Sequence, residues 1–408
     1  MIRVLMSVMI GSSVMAADWP AFHGPRGDCK AEGSGYASTW GPNKNVRWKV
    51  PVMAGNGSPI VSNGRVFLID ASADGRTRNL RCLDRSEGKE LWVQSVQVDA
   101  ADPTHKTNYF GSSTPASDGK TVLAWHSSGG LHAYDFAGDL RWSREFGDFR
   151  HMWGYATSPV IDGERVILLA GPGKSIFVTA LELSSGRTLW STPEPVDGDG
   201  ERNSAGHYMG TWSTPRIAVV AGKPAAICSM PTRVNAYSLS AGRLLWSVDG
   251  LRGNRGDLAY SSPMIEGELG VAIGGYQGPA VGFSLDGKQL WRSARNPQNI
   301  GSGVIIDGNC FLAHAGPATL QCLDVASGKT LWQAKAPSGE KYWGSITAAD
   351  GRLYVTGKRG RTLVFAANPL RFEKLAENEL GEASNSTPAF SDGDIFLRTV
   401  AHLYRIAE

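Results

Sequence analysis

Short runs of alternating apolar and polar residues follow one another along almost the whole chain, with glycine-containing turns between them. Alternation of this kind over four to eight residues predicts β-strands. One segment recurs as LRCLDRSEGKELW (80–92), VTALELSSGRTLW (178–190) and LQCLDVASGKTLW (320–332), with further copies between these. In each copy a glycine stands where a tight hairpin turn needs a positive φ. The segment therefore predicts a pair of antiparallel strands that ends at a tryptophan.

A second segment recurs eight times, for example as GSPIVSNGRVFLID (57–70) and YSSPMIEGELGVAIG (260–274), and six of its copies contain Ser-Pro or Thr-Pro. Proline is tolerated at the first residue of a strand, so this segment predicts a second antiparallel pair. The spacing between Trp48 and Trp332 gives a repeat of about 47 residues, which is typical of a four-stranded propeller blade. Eight copies predict eight blades.

The two ends of the chain predict how the ring closes. The last repeat stops at Glu408 without a closing tryptophan, whereas residues 45–50 contain Trp48 without preceding strands of their own. If residues 45–50 supply the missing strand, no sheet edge is left open to aggregation. The predicted fold is therefore all-β, an eight-bladed β-propeller of 32 strands in four-stranded antiparallel blades. Its last blade is closed by the N-terminal strand.

Composition and the N-terminus narrow the cellular context. The chain has 408 residues, 50 glycines, 13 tryptophans and a net charge of +3, too weakly basic to indicate nucleic-acid binding. Residues 1–16 combine Arg3 with an apolar stretch ending in Val-Met-Ala, a pattern that predicts a signal peptide. No cysteine follows the cleavage position. We therefore expect a periplasmic or secreted protein without a lipid anchor or transmembrane segment, with residues 17–44 packing as an extension on a propeller of residues 45–408.

The repeated motifs xLDxxxGKxLW and SPxVxDGxVYV resemble the PQQ-like repeat of eight-bladed β-propellers over residues 45–408. The start DWPAFHGPRGD (18–28) is similar to the Trp-Pro-x-Phe-x-Gly start of secreted members. The resemblance implies the fold, but this fold carries two classes of function. Some members are non-catalytic scaffolds such as the outer-membrane assembly factor BamB, and others are quinoprotein dehydrogenases that use PQQ and calcium.

The sequence favours the first class. It contains no Cys-Cys pair, which many quinoprotein dehydrogenases place against the quinone, and no recognisable calcium-binding set. We therefore expect a non-enzymatic scaffold or binding protein without a cofactor. A dehydrogenase with PQQ and calcium in the funnel remains the alternative.

His126 and His132 flank one hairpin, but a metal site there is less expected than ordinary packing. Cys310 and Cys322 either form a disulfide or occupy the core, and the core is favoured.

The segments that join blades are rich in aromatic residues, and loops on the same face of the ring carry basic ones. Aromatic rings and arginine are the usual anchors of binding surfaces, so we expect this face to bind a protein partner or a glycan. An anionic ligand is a further possibility, and packing of the rings against one another is the structural alternative. The predicted recognition face comprises Tyr109, Trp153, Tyr155, Trp212, Arg233, Tyr260, Trp343, Lys358 and Arg361.

Overall fold

The computed structural model describes residues 17–408; the predicted signal peptide (1–16) lies outside the described residues. Eight four-stranded antiparallel sheets form a propeller ring, which confirms the predicted fold. The first strand and blades 1 to 3 comprise β1 (Val46–Pro51), β2 (Ile60–Ser62), β3 (Arg65–Ala71), β4 (Thr77–Asp84), β5 (Glu90–Gln97), β6 (Ala116–Ser117), β7 (Thr121–Trp125), β8 (Leu131–Asp135), β9 (Leu140–Arg144), β10 (Val160–Asp162), β11 (Arg165–Ala170), β12 (Ile176–Glu182) and β13 (Thr188–Glu194).

Blades 4 to 8 follow in the same order, innermost strand first. Blades 4 and 5, with two additional strands, comprise β14 (Tyr208–Thr211), β15 (Arg216–Val220), β16 (Lys223–Ser229), β17 (Arg233–Ser238), β18 (Leu244–Asp249), β19 (Gly256–Ala259), β20 (Met264–Glu266), β21 (Leu269–Ile273), β22 (Ala280–Ser284) and β23 (Gln289–Ser293). Blades 6 to 8 comprise β24 (Val304–Ile306), β25 (Asn309–Ala313), β26 (Thr319–Asp324), β27 (Thr330–Lys335), β28 (Thr347–Ala349), β29 (Arg352–Thr356), β30 (Arg361–Ala366), β31 (Lys374–Glu379), β32 (Ala389–Ser391), β33 (Asp394–Arg398) and β34 (His402–Ile406).

The described residues contain 34 strands rather than the predicted 32. The two additional strands, β14 and β19, lie outside the blades and pair with each other in parallel. They form because two long inter-blade segments run side by side and satisfy their backbone groups mutually. Two short 3-10 turns, Ser127–Gly129 and Pro337–Gly339, complete the secondary structure. In residues 17–408 we find no helix with the length and apolar character needed to cross a bilayer.

The repeated tryptophans join neighbouring blades. Each indole Nε1 donates a hydrogen bond to a carbonyl at the end of the third strand of the next blade, as Trp190 does to Leu239 at 2.8 Å. For all of these tryptophans except Trp332, the ring also covers the turn glycine of the next blade; a Cβ on Gly242 would lie 2.4 Å from the ring of Trp190. The same Nε1 bond is made by Trp48, Trp92, Trp142, Trp190, Trp246, Trp291 and Trp332.

Blade 7 has Ala376 at the position where the other blades carry the tryptophan. The fold explains this exception. The turn that a tryptophan at 376 would cover is the break between β34 and β1, where the two chain ends meet. Trp40, immediately before β1, fills the space instead: it is 5% exposed and stacks on Tyr354 with ring centroids 6.4 Å apart. Its backbone N–H donates to Asn378 at 2.9 Å.

A closed ring of hydroxyl groups joins the eight blades at their inner ends. The serine or threonine that opens each blade donates its backbone N–H to the hydroxyl oxygen of the equivalent residue in the next blade, at 2.9–3.1 Å. The hydroxyl ring comprises Ser58, Thr114, Ser158, Thr214, Ser262, Ser302, Ser345 and Thr387. Six of them are the serine or threonine of the repeated Ser-Pro and Thr-Pro pairs. Ser302 and Ser345 hold the same position in the two copies that lack the proline.

The ring closes as predicted. β1 pairs antiparallel with β34, placing Val46 opposite Ile406 and Val50 opposite Leu403. Glu382 fastens the joint, because its carboxylate accepts hydrogen bonds at 2.9 Å from Lys49 on β1 and from Tyr404 on β34. The closing strand is therefore held by a backbone ladder and by side chains from both partners.

The segment 17–44 crosses the face of the ring that carries the turns between first and second strands. Trp19 exchanges two backbone hydrogen bonds of 2.9 Å with Val61 in β2. Asp350, in the β28–β29 turn, accepts the backbone N–H groups of Gly35 and Tyr36. Lys30 forms an ion pair with Glu266 of blade 5, which lies opposite blade 1 in the eight-bladed ring. The segment therefore bonds to opposite sides of the ring and spans the end of its channel.

The cysteines belong to the core. All five are buried and free. Cys310 lies opposite Leu323 and Cys322 lies opposite Phe311, so the two thiols project from opposite faces of the blade. This geometry places Cys310 and Cys322 in different inter-blade cores, as expected from the core interpretation.

Candidate functional site

A cavity of about 420 Å³ lies at the mouth of the propeller, on the face formed by the inter-blade segments. Six hydroxyls of the hydroxyl ring line it, from Ser58, Thr114, Ser262, Ser302, Ser345 and Thr387. Phe22, from the N-terminal segment that spans the opposite face, also contributes to its lining. Beside it, His23 is buried and its Nε2 lies 2.9 Å from the Ser345 hydroxyl. The cavity is therefore open at the mouth, and the extension covers its other end.

One side of the cavity is a continuous aromatic wall. Trp153 stands at its centre, with ring centroids 4.7 Å from Tyr208 and 5.8 Å from Trp212. Trp153 and Tyr276 are parallel within 4°, with centroids 6.4 Å apart. Contacts of this kind between rings are worth about 0.5–1.5 kcal/mol each beyond area burial. The aromatic wall comprises Trp153, Tyr208, Trp212, Tyr260 and Tyr276.

Local hydrogen bonds fix the orientation of these rings. The parallel pair of strands β14 and β19 carries Tyr208 and leads directly into Trp212 and Tyr260. The Trp212 indole donates to the Gly154 carbonyl at 2.8 Å. His151 lies behind the wall, within 3.0 Å of the Met209 carbonyl, and burial lowers its pKa. Burial also raises the pKa of Tyr260, so its hydroxyl stays protonated.

Tyr276 is held in an uncommon backbone conformation. Tyr276 and Gln277 both have positive φ, 56° and 65°, in the loop between β21 and β22. Consecutive non-glycine residues in this region store strain, which is found most often at ligand clamps and active sites. The conformation presents the Tyr276 ring at the cavity entrance, where the residue is 36% exposed.

The opposite side of the cavity is polar and neutral. The Asn56 amide donates to the Thr107 carbonyl at 3.1 Å and to the side-chain oxygen of Asn108 at 3.2 Å. Asn385 donates to the same Thr107 carbonyl at 3.3 Å. Its own Oδ1 is buried and has no hydrogen-bond partner within residues 17–408. This side thus offers amide and hydroxyl groups.

Among residues 17–408, those lining the cavity include no lysine, arginine, aspartate or glutamate. Four residues of the predicted recognition face do line it, namely Trp153, Trp212, Tyr260 and Trp343. The three predicted cations do not. Arg233 forms an ion pair with Glu194 of the preceding blade, Arg361 pairs with Glu379 at 3.2 Å, and Lys358 lies 4.7 Å above the ring of Trp343.

The two remaining predicted residues lie behind the cavity lining. Tyr155 is 2% exposed, and its hydroxyl donates to the Phe110 carbonyl at 2.5 Å. Burial raises its pKa to about 12. It packs beside the buried ion pair of Arg78 and Asp102, which measures 2.7 Å. Tyr109 is half-buried and does not line the cavity. Sequence reasoning missed Tyr208, Tyr276 and the asparagines, although Tyr208 stands in an aromatic segment.

The lining does not fit PQQ and calcium. PQQ carries three carboxylates, and a buried anion needs cationic or metal partners. Apart from His105, the described lining supplies no basic side chain, and it contains no carboxylate that would hold calcium. Residues 17–408 also contain no group of three or more His, Cys, Asp or Glu arranged for a metal. The rings of His126 and His132 lie 5.7 Å apart, but His126 is fully buried in the core.

Comparisons with known proteins agree with this architecture. The structure aligns with BamB from Moraxella catarrhalis at a TM-score of 0.60 and 13% identity, over 88% of this chain and 99% of that one. It aligns with the quinohemoprotein alcohol dehydrogenase from Comamonas testosteroni at a TM-score of 0.67 and 14% identity, over 95% and 80%. A europium-containing methanol dehydrogenase aligns at 0.64 and 10% identity, over 91% and 87%. At these identities the likeness concerns the fold.

At the sequence level, no curated protein matches the chain. A family profile does match it, that of the outer membrane protein assembly factor BamB, over residues 32–201, 76–334 and 278–399. Together these matches span almost the whole propeller, and the repeats they cover are the eight blades described above. The chain therefore belongs to this BamB-like family of PQQ-repeat propellers.

Proposed function

We propose that the protein is a non-enzymatic binding propeller, exported to the periplasm or secreted, that captures a protein segment or a glycan at its mouth. The cavity carries this proposal: five aromatic rings face neutral amides and hydroxyls in a volume typical of ligand sites, roughly 300–1,000 Å³. The signal-peptide pattern of residues 1–16 supports export, and the lack of a cysteine at the cleavage position supports a protein without a lipid anchor.

The alternative, a quinoprotein dehydrogenase, has less support. The dehydrogenases named above share the ring with this chain, but the ring is common to enzymes and to BamB. What separates them is the chemistry of the cavity, and a quinone tricarboxylate needs several charged partners where this lining offers mainly amides, hydroxyls and aromatic rings, with His105 as its single basic side chain. The propeller is therefore better suited to hold a neutral ligand than to hold PQQ.

A photo-cross-linking experiment tests the binding function without knowledge of the ligand. Benzoylphenylalanine at position 276 places a reactive group at the cavity entrance, and the same substitution at Leu370, 87% exposed between β30 and β31, is the control. In cells of the native host we expect irradiation to cross-link a ligand, protein or glycan, at 276 and not at 370. Equal labelling at both positions, or none, would contradict the proposal.

Reconstitution separates the two classes of function. Purified protein is mixed with PQQ and calcium, and alcohol-dependent reduction of a dye is followed. We expect no retained quinone absorbance after gel filtration and no turnover. A stoichiometric quinone spectrum with dye reduction would replace the binding function by the dehydrogenase.

A further inference from the structure

We infer that the cavity binds the end of a neutral carbohydrate chain, an inference that rests on the proposed binding function and names its ligand class. Three properties of the site carry it: an aromatic wall, a described lining with no lysine, arginine or carboxylate and a single histidine, His105, and a dense set of small donors and acceptors around a cavity covered at one end.

The aromatic wall matches the apolar faces of sugar rings. The C–H groups on one face of a pyranose carry a partial positive charge, and the face of an aromatic ring is negative. Trp153 and Tyr276 offer two nearly parallel rings with centroids 6.4 Å apart in the cavity lining, and a sugar unit can pack its apolar face against such a ring. The strained backbone of Tyr276 keeps its ring in place before the ligand arrives, which lowers the entropic cost of binding.

The charge distribution selects a neutral ligand. A carboxylate, sulfate or phosphate brought into this cavity would lose water without gaining an ion pair to a lysine or arginine, and His105 is the single basic side chain in the described lining. The cations nearest the aromatic wall are engaged with its rings. Arg202 lies 4.2 Å above Tyr208, and Arg255 lies 5.8 Å from Tyr276. They support the wall as cation–π partners and are not part of the cavity lining.

The polar groups match a ligand that has many hydroxyls. Asn56, Asn385 and Gln298 each carry both a donor and an acceptor, whereas the side-chain amide of Asn108 is already bonded within the protein. Each hydroxyl of the hydroxyl ring accepts one backbone N–H. The Ser302 hydroxyl also donates to the Ser262 carbonyl and the Ser345 hydroxyl contacts His23, whereas Ser58, Thr114, Ser262 and Thr387 keep their own proton to donate. Adjacent sugar hydroxyls donate and accept in the same way, so a sugar satisfies groups that an apolar ligand would leave unpaired.

The shape of the cavity argues for a chain end. The extension crosses the far side of the ring, and Phe22 and the His23–Ser345 contact lie at the inner end of the cavity. A polymer therefore enters only from the mouth. Proline-rich peptides, the other common ligands of aromatic surfaces, lie along open grooves. Their rings carry no N–H or hydroxyl with which to use the polar inner end, so the observations favour the sugar.

Titration calorimetry with purified protein tests the inference. The probes are neutral tetrasaccharides of glucose, mannose, xylose, galactose and N-acetylglucosamine, an oligogalacturonate as the anionic counterpart, and a decaproline peptide. We expect at least one neutral tetrasaccharide to bind. Tyr276→Ala should weaken it about tenfold or more, as for other aromatic anchors. Tyr276→Phe keeps the ring and should retain the affinity, as should the surface control Leu370→Ala. Melting temperatures confirm that each variant is folded.

The outcomes separate the ligand class from the binding function. Binding of the oligogalacturonate or decaproline alone, lost in Tyr276→Ala, overturns the neutral carbohydrate but keeps the mouth as a binding site. A tetrasaccharide that binds Tyr276→Ala unchanged overturns the assignment to this cavity. A panel in which no neutral tetrasaccharide binds overturns the inference, whereas the cross-linking experiment judges the binding function independently.

Discussion

The pairing of a tryptophan with a glycine recurs at six of the eight blade joints, and it explains both residues of the repeated Gly-x-x-Leu-Trp motif. The indole ring packs on the glycine turn of the next blade, and its N–H donates to a carbonyl beside that turn. Any side chain larger than hydrogen on the turn residue would enter the ring. The two residues therefore form one inter-blade contact, although they belong to different blades.

Truncating one of these tryptophans should destabilise the protein without altering its mouth. Trp190→Ala removes a buried ring and its bond to Leu239, and we expect it to lower the free energy of unfolding by about 3–5 kcal/mol. Gly242→Ala should also destabilise, because its φ is +67° and its Cβ would meet the ring. The double variant Trp190→Ala/Gly242→Ala should lose less free energy of unfolding than the sum of the two single losses, because both changes remove the same contact. Urea unfolding measures all three, and loss of ligand binding with full stability would contradict the packing role.

A buried histidine makes the extension sensitive to acid. Burial, with the nearby Arg216 guanidinium adding to it, lowers the pKa of His23 from its ordinary 6.5 to about 3. Because the folded pKa lies below the unfolded one, the stabilising effect of a neutral His23 is complete above pH 6.5. It is lost progressively as the pH falls from 6.5 towards 3.

Hydrogen exchange at residues 22–29 measures this effect. After correction for intrinsic rates, we expect exchange to accelerate as the pH is lowered from 7 to 4. His23→Asn is the matched variant, since asparagine tolerates the positive φ of 68° and retains a polar amide but does not titrate. Its corrected exchange should not depend on pH in this range. The same acceleration in both proteins would assign the effect to other groups.

At the scale of elements, the N-terminal extension supplies the inter-blade tryptophan that the seventh repeat lacks. The sequence predicted that residues 17–44 pack on the propeller. The absence of a closing tryptophan in blade 7 was visible in the sequence, but its replacement by Trp40 was not. That replacement follows from the position of the chain break, which becomes known only when β1 has been placed beside β34.

Trp40→Ala should therefore act like the loss of a blade tryptophan. It removes a ring packed between blades 7 and 8, and we expect a loss of about 3–5 kcal/mol in the free energy of unfolding. Trp40→Phe should cost less, because Trp40 Nε1 has no hydrogen-bond partner within residues 17–408 and only ring area is lost. Urea unfolding compares the two. An unchanged midpoint in Trp40→Ala would show that the extension does not support this joint.

The mouth shows where sequence reasoning about elements reaches its limit. Four of the predicted recognition residues line the cavity because propeller topology sends every inter-blade segment to one face. The cations Arg233 and Arg361 stand near that face in sequence order, but strand register directs them to Glu194 and Glu379. Asn385 stands two residues before the opening threonine of its blade, the repeat position that Trp212 and Tyr260 hold in theirs, so the repeat does mark it. No repeat marks Tyr276, whose place in the site depends on a single loop conformation.

At the scale of the whole molecule, the repeat was sufficient to predict the ring. Eight equivalent segments with the same strand pattern leave few arrangements that bury every sheet edge, and a closed ring is one of them. The hydroxyl ring is a consequence of that closure. The sequence revealed a recurrent Ser-Pro or Thr-Pro, and the proline was interpreted as the start of a strand. The role of the hydroxyl depends on the distance between neighbouring blades, which only the assembled ring defines.

The last prediction concerns ring closure itself. Deleting residues 45–50 removes most of β1, the bond from Trp48 to Arg85 in blade 1 and the Lys49 contact to Glu382, and it exposes the edge of β34. We expect the free energy of unfolding to fall by several kcal/mol, a large part of the roughly 5–15 kcal/mol that stabilises a typical protein. Trp48→Ala, which keeps the strand, should cost less than the deletion. Thermal and urea unfolding compare the three proteins, and a deletion variant that melts with the parent would mean that the ring does not depend on its N-terminal strand.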